Sequence, residues 1–251
     1  MVDRLKNGAE DGTTMNLEKY DGKYISIRNI YGDAYSGRAQ YAGRDFLECE
    51  YGGNEDGIFI EDLLVYNSQV EAIEEIRPHG TAELWTENLV LRRYREDDAK
   101  QLYEHLGTDP EMYRYSGWNP YATFEMAKET VDRFMDGYDD DCSYSWVMDF
   151  DDTVVGTIGA YDRKQDQIEV GLSVVREWQG RGFATEALKK VLEYLTENEE
   201  IACVTAWCAG ENAGSRRVLE KSGMQLVRTD KDALRIDERV YGKLSFEYRK
   251  K

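Results

Sequence analysis

The stretch Gly171-Leu172-Ser173-Val174-Val175-Arg176-Glu177-Trp178-Gln179-Gly180-Arg181-Gly182-Phe183-Ala184-Thr185-Glu186-Ala187 decides the fold. Its first residues continue the alternating run Ile168, Val170, Leu172 and Val174, the period of a half-buried strand. Its last residues open a run in which Ala184, Ala187, Leu188, Val191, Leu192 and Leu195 recur at helical spacing. Between strand and helix sits a glycine-rich loop. Glycines let backbone N–H groups approach a phosphate closely, and the start of a helix adds partial positive charge. An ordinary loop also has two glycines before a helix, so the loop alone leaves both readings open. Two phosphate-binding loops are excluded by spacing. No Gly-Lys-Ser/Thr follows, as a Walker A loop requires, and Thr185 stands where a dinucleotide G-x-G-x-x-G pattern needs its third glycine.

Upstream, Tyr144 to Phe150 and Val154 to Tyr161 read as two more strands joined by a turn at Asp151-Asp152. Leu89, Leu91 and Tyr94 begin the first strand of this region. Asp97 is placed to cap a helix over Ala99 to Leu106, and a second helix is expected from Phe124 to about Met135. Downstream, Ile201 to Cys208 reads as a strand, Ala213 to Lys221 as a helix closed by Gly223, and two strands finish the chain. The order β-α-α-β-β-β-α-β-α-β-β predicts an α/β (α+β) unit, a mixed sheet with helices rather than a serial βαβ fold.

The segment Arg77-Pro78-His79-Gly80-Thr81 is the clearest punctuation in the 251 residues. It divides the chain into a domain at residues 1–80 and a second at 85–251. Before it the pattern is short and β-like: Ile25 and Ile27, a turn at Tyr31-Gly32-Asp33, a run ending at Tyr41-Ala42-Gly43, Phe46 to Tyr51, Ile58 to Ile60 and Leu63 to Tyr66. Short strands with a turn about every ten residues predict a small all-β barrel. Asp21-Gly22-Lys23-Tyr24-Ile25 and the closing Val70-Glu71-Ala72-Ile73 resemble Sm-like or SH3-like barrels. Charge argues against RNA as that barrel's partner. Residues 1–84 hold 8 basic and 17 acidic side chains, and residues 85–251 hold 24 and 33, so the smaller part is the more densely acidic. A protein contact or homodimer is the expectation there.

Composition bounds the chemistry further. The net charge of −18 disfavours nucleic acid, no run approaches the ~18 apolar residues of a membrane span, and the first thirty residues lack a secretory pattern. A soluble cytoplasmic protein is expected. Cys49, Cys142, Cys203 and Cys208 are scattered, and the odd spacing of the last two on one strand points them to opposite faces. Only His79 and His105 occur, without ligand spacing, so no metal is expected.

What remains of the loop is Gln179-x-x-Gly182-x-Ala184 after a strand. This resembles the acetyl-CoA-binding loop of the GCN5-related N-acetyltransferase (GNAT) family, whose pattern is Q/R-x-x-G-x-G/A. Trp178 followed by Gln-Gly-Arg-Gly-Phe-Ala-Thr-Glu-Ala is similar to the ribosomal-protein N-acetyltransferase branch. Thr86-Glu87-Asn88-Leu89-Val90-Leu91-Arg92 resembles that branch's opening strand. Asn212-Ala213-Gly214-Ser215 and Leu219-Glu220-Lys221-Ser222-Gly223-Met224 resemble its second cofactor-contacting helix. The matches cover about residues 85–250, in order.

The resemblance implies a GNAT fold, with acetyl-CoA as cosubstrate and direct transfer to an amine in a ternary complex. It implies that the pantetheine arm lies along the strand at Leu172 to Val174, with the N–H of Val174 or a neighbour polarising the thioester carbonyl. Gln179, Gly180, Arg181, Gly182, Ala184 and Thr185 would hold the pyrophosphate, and Asn212 would orient the pantetheine or cap its helix. Ser215 would serve the departing sulfur; many members use a tyrosine slightly further along, near where Leu219 stands. Glu169 alternates away from the apolar face and is the candidate base, although an acid on a solvent face has the same pattern. The histone-modifying members carry their glutamate one place earlier. Glu186 matches the branch but is expected to face away from the cofactor. The aromatics of Tyr113 to Tyr121 would line the acceptor site. The acceptor is a protein N-terminus, polyamine, amino acid or amino-sugar. The alternative is a non-catalytic CoA-binding module for sensing or assembly.

Overall fold

The computed structural model describes residues 15–60, 62–116, 119–139, 143–236 and 238–250. Cys142 and the Gly117-Trp118 part of the aromatic stretch lie outside them. The chain divides into two compact units, Met1–Pro78 and His79–Lys251.

In the first unit, strands β1 (Tyr24–Asn29), β2 (Ala34–Ala42), β3 (Gly57–Ile60), β4 (Leu63–Tyr66) and β5 (Val70–Glu75) form one antiparallel sheet in the order β4-β3-β2-β1-β5. Alternation buries Ile25 and Ile27 of β1 with Ala39, Ile58, Ile60, Val65 and Val70. The β1–β2 turn is built by Asn29, whose side-chain oxygen accepts the N–H groups of Tyr31 and Asp33. Phe46 to Tyr51 corrects the β reading. It belongs to a helix, α1 (Arg44–Tyr51), inserted between β2 and β3. The helix ends on Gly52 in the left-handed region, where only glycine is unstrained, and buries Leu47 alone. One buried residue per helix is too weak a pattern to identify in sequence.

In the second unit, an eight-stranded sheet runs in the order β12-β13-β11-β10-β9-β8-β7-β6. Its strands are β6 (Leu84–Trp85), β7 (Val90–Arg92), β8 (Tyr144–Phe150), β9 (Thr153–Lys164), β10 (Gln167–Val174), β11 (Cys203–Ala209), β12 (Gln225–Ile236) and β13 (Arg239–Tyr248). Every neighbouring pair is antiparallel except β10–β11. The helices are α2 (Asp98–Leu102, continued by a π turn over Tyr103–Gly107), α3 (Phe124–Asp136), α4 (Phe183–Glu197) and α5 (Ala213–Lys221). This is a mixed α/β architecture, a largely antiparallel sheet flanked by helices. Asp151 and Asp152 both take positive φ, the conformation that a two-residue hairpin between right-twisted strands demands.

The strands' alternation gives the sheet two different faces. On one, Ile158, Ile168, Val170, Val204, Ala206 and Phe246 are buried beneath α4, which contributes Ala187, Leu188, Val191 and Leu195. On the other, Val147 packs with Tyr94, Leu102, Leu106, Tyr121 and Val131 from α2, α3 and their connections. Fully burying each aliphatic side chain contributes roughly 1.5–3 kcal/mol. Two polar clusters fasten the frame. Arg92 of β7 grips Asp98 through two bonds of 2.8 Å and Asp149 of β8 through one of 2.7 Å. Glu199, buried, accepts Gly80 N–H and the Tyr194 and Tyr144 hydroxyls at 2.9 Å, and meets His79 at 3.0 Å. The Arg92 cluster also corrects the cap. Asp97 makes no side-chain cap, whereas Asp98 takes the Arg95 N–H at 2.7 Å, because its carboxylate is already anchored by Arg92.

Candidate active site

The site follows from where β10 and β11 part. They pair only at Gln167–Cys203, Ile168–Val204 and Glu169–Thr205, yet β10 continues to Val174 and β11 to Ala209. A gap therefore opens between their C-terminal halves, at the crevice where α/β sheets hold ligands. Val175 donates its N–H to Val155 on β9. By strand alternation, the N–H and C=O groups of Leu172 and Val174 turn to the other side, into the gap. The Val174 carbonyl is taken by the Gln179 side-chain amide, so the N–H and C=O of Leu172 and the N–H of Val174 form the edge suited to an amide-bearing arm.

At the end of β10 the chain makes a 3-10 turn over Arg176–Trp178 and crosses Gln179–Gly182 into α4. Gly180 (φ 78°) and Gly182 (φ 96°) occupy the left-handed region, and a methyl group added at either would meet open space. No side chain caps α4. Thr185 and Glu186 donate back to Gly182, which leaves the earlier N–H groups directed outward, the arrangement that receives phosphate. The loop is stiff. Trp178 packs on Phe183 and Phe150 with centroids 5.9 and 5.2 Å away. The exposed Gln179 sends its amide back to the Val174 carbonyl at 2.9 Å, so it braces the loop. Arg181 lies over the Trp178 ring at 4.3 Å, on the loop's exposed side. Ala184 and Thr185 lie half-buried in the first turn of α4.

Across the gap, the Asn212 side-chain oxygen caps α5 by accepting the Ser215 N–H at 3.0 Å. The Ser215 hydroxyl lies against the Cys208 thiol, which burial pushes up from its ordinary value. Leu219 is buried. Glu169 is half-buried on the polar face of β10 and accepts the Trp207 indole N–H at 3.0 Å. Beside it Tyr161 reaches across Gly171; a Cβ there would sit 2.6 Å from the phenol oxygen. Burial, and then the Glu169 carboxylate, push that phenol up to about 12, so it remains a proton donor near neutral pH.

Glu186 faces away from the gap. Its carboxylate accepts Thr86 Oγ1 at 2.5 Å, Asn88 N–H at 2.8 Å and Asn88 Nδ2 at 3.0 Å, locking the start of α4 to the β6–β7 turn. The segment between α2 and α3 is stitched to the same loop by Asp109, which takes two bonds of 2.7 Å from Arg176. Of its aromatics, Tyr121 is in the core and Tyr113 bonds the Leu106 carbonyl, while Tyr115 meets Tyr241 of β13 at 5.5 Å. Trp207 and Tyr241 escaped sequence reading. Alternation marks their faces, but only strand pairing brings them beside Glu169 and Tyr115. Among the described residues no His/Cys/Asp/Glu group could hold a metal, and no helix is long and apolar enough to cross a membrane.

Comparison with known proteins agrees with this geometry. An acetyltransferase (GNAT) domain model matches residues 88–225, more than half of the chain. The uncharacterised N-acetyltransferase YoaA of Bacillus subtilis is 30% identical over 146 residues, covering 57% of this chain and 82% of YoaA. Among solved structures, the RimL ribosomal L7/L12 α-N-protein acetyltransferase in complex with coenzyme A superposes with a TM-score of 0.62 at 14% identity, over 66% of this chain and 97% of that one. The microcin C7 self-immunity acetyltransferase MccE, in complex with acetyl-CoA and AMP, gives 0.61 at 14% identity, over 65% and 93%. The strand pair that opens, the uncapped helix behind it and these matches lead to one assignment: the chain belongs to the GNAT family of N-acetyltransferases.

Proposed function

We propose that this N-acetyltransferase moves an acetyl group from acetyl-CoA to a primary amine by direct transfer in a ternary complex. The parting of β10 and β11 ahead of the uncapped start of α4 carries the reading. Acetyl-CoA supplies the acyl group as an activated thioester. The Leu172 backbone would pair with its amides, and the Val174 N–H would receive charge developing on the carbonyl oxygen. The N–H groups from Gly180 to Thr185 would hold the pyrophosphate, with Arg181 swinging from Trp178 to add its charge and Gln179 bracing the loop. Asn212 would orient the arm through its amide while capping α5.

Glu169 would take a proton from the acceptor ammonium, directly or through water, using the oxygen that Trp207 leaves open, and the neutral amine so formed would attack the thioester carbonyl. Ser215 would stabilise the departing sulfur. The first unit, densely acidic, is read as a small barrel for contact with a protein or a second copy, in a cytoplasmic protein without a nucleic-acid partner. Mixing the protein with acetyl-CoA and a panel of amines should release free thiol. Ser215→Ala and Glu169→Gln should each slow release by about 100-fold. Tight CoA binding without thiol release from any amine would overturn the catalytic reading and leave a CoA-binding module.

A further inference from the structure

The acetyl-transfer reading leaves the acceptor open, and the polar face of the sheet beside the gap narrows it. Glu169 and Lys243 contact one indole from two directions. Glu169 accepts the Trp207 N–H at 3.0 Å, and the Lys243 ammonium lies 5.0 Å from the ring centroid. Pairing puts Lys243 opposite Ala209, two residues after Trp207 and on the same face. Asp230, opposite Lys243 on β12, is engaged by Arg228 at 2.7 Å. Continuing along that face, Ala209, Ile236 and Tyr241 form a small apolar cluster with Tyr115 and Leu234. The Tyr241 hydroxyl is buried, and the Arg114 guanidinium lies beside it as a donor towards its oxygen. Arginine can only donate, so the hydroxyl's own O–H is left without an acceptor, and a buried donor in that state marks a place where a ligand oxygen would be stabilised.

Opposite charges set about one indole, next to an aromatic wall and a waiting hydroxyl, complement a zwitterion with an apolar body. A linear polycation would meet Lys243 and Arg114 with like charge. We propose that the acceptor is an α-amino acid with a large apolar or aromatic side chain. Its amine is directed to Glu169, its carboxylate to Lys243 and the Tyr241 hydroxyl, and its side chain to Tyr115 and Tyr241. The inference rests on the acetyl-transfer reading for its chemistry, but the subsite itself is a binding claim.

The full chain with acetyl-CoA is assayed for thiol release with L-phenylalanine, L-phenylalaninamide, a phenylalanyl dipeptide and spermidine. The free amino acid should exceed its amide and the dipeptide by about 10- to 100-fold in kcat/KM, and spermidine should be poorest. Lys243→Met keeps the apolar stem and should collapse that ratio towards one by raising KM while kcat holds. Tyr241→Phe should weaken the free acid more than its amide. An amide, dipeptide or spermidine preferred over the free acid, or a ratio unmoved in Lys243→Met, overturns the proposal. If no acceptor releases thiol, the transfer reading falls, and calorimetry of L-phenylalanine with CoA-loaded protein decides the subsite alone. Binding lost in Lys243→Met supports it; absence of binding overturns it.

Discussion

Glu186 offers the sharpest test of how the start of α4 is held. Replacing it with glutamine keeps size and one acceptor oxygen but removes the charge. Three hydrogen bonds from Thr86 and Asn88 reach this carboxylate, from Thr86 Oγ1 and from the N–H and Nδ2 of Asn88. A bond to a charged group contributes about 1 kcal/mol more than its neutral counterpart, which makes about 3 kcal/mol for three. Asn88 is exposed and Glu186 only half-buried, so solvent screening roughly halves that, to about 1.5 kcal/mol. For a domain of this size the loss lowers Tm by roughly 3–6 °C. Burial works against the charge, but the donors from Thr86 and Asn88 prevail and hold the carboxyl below its ordinary value of 4.5. Its folded pKa is depressed, so the stabilisation is present above the unfolded pKa and is lost as pH falls through the lower folded one. Thermal melts of wild type and Glu186→Gln should therefore differ fully at pH 7 and converge below about pH 4. Equal melting temperatures at pH 7, or a gap that acid does not narrow, would refute the idea that this carboxylate anchors α4 through its charge.

Two other substitutions probe the loop and the frame. Gly182→Ala meets no steric obstacle but places a Cβ at φ 96°, a strain of about 1–2 kcal/mol; KM for acetyl-CoA should rise about tenfold with kcat nearly unchanged, and unaltered KM would remove this loop from the cofactor site. Arg92→Ala strands two buried carboxylates and should destabilise the second unit by about 3–5 kcal/mol in urea titration, whereas Arg92→Met with Asp98→Asn and Asp149→Asn should recover part of the loss.

How far the sequence could be read tracks how local the cause is. The hairpin at Asp151-Asp152, the α3 helix from Phe124 and the α5 helix after Asn212 were legible because turn chemistry, apolar period and, for α5, the cap lie within a few residues. The helix at Arg44–Tyr51 was missed because one buried leucine leaves no period to detect. The cap expected at Asp97 is absent, and the acid held at that helix start is Asp98, which Arg92, six residues upstream, grips by two bonds.

The same division runs through the site. Sequence alone determined the loop: glycines at 180 and 182, a strand before them and a helix after them suffice to present backbone amides, since φ and the helix start are local properties. It also determined which face of β10 carries Glu169, because alternation is intrinsic to a strand. Only the tertiary structure decided that β10 and β11 separate after three pairs, that the Gln179 amide turns back to the Val174 carbonyl, and that Trp207, Lys243, Tyr115 and Tyr241 gather on the face of the sheet that carries Glu169. Those residues are spread from position 115 to 243; strand register aligns the ones on β10, β11 and β13, and the connection between α2 and α3 brings Tyr115 to them.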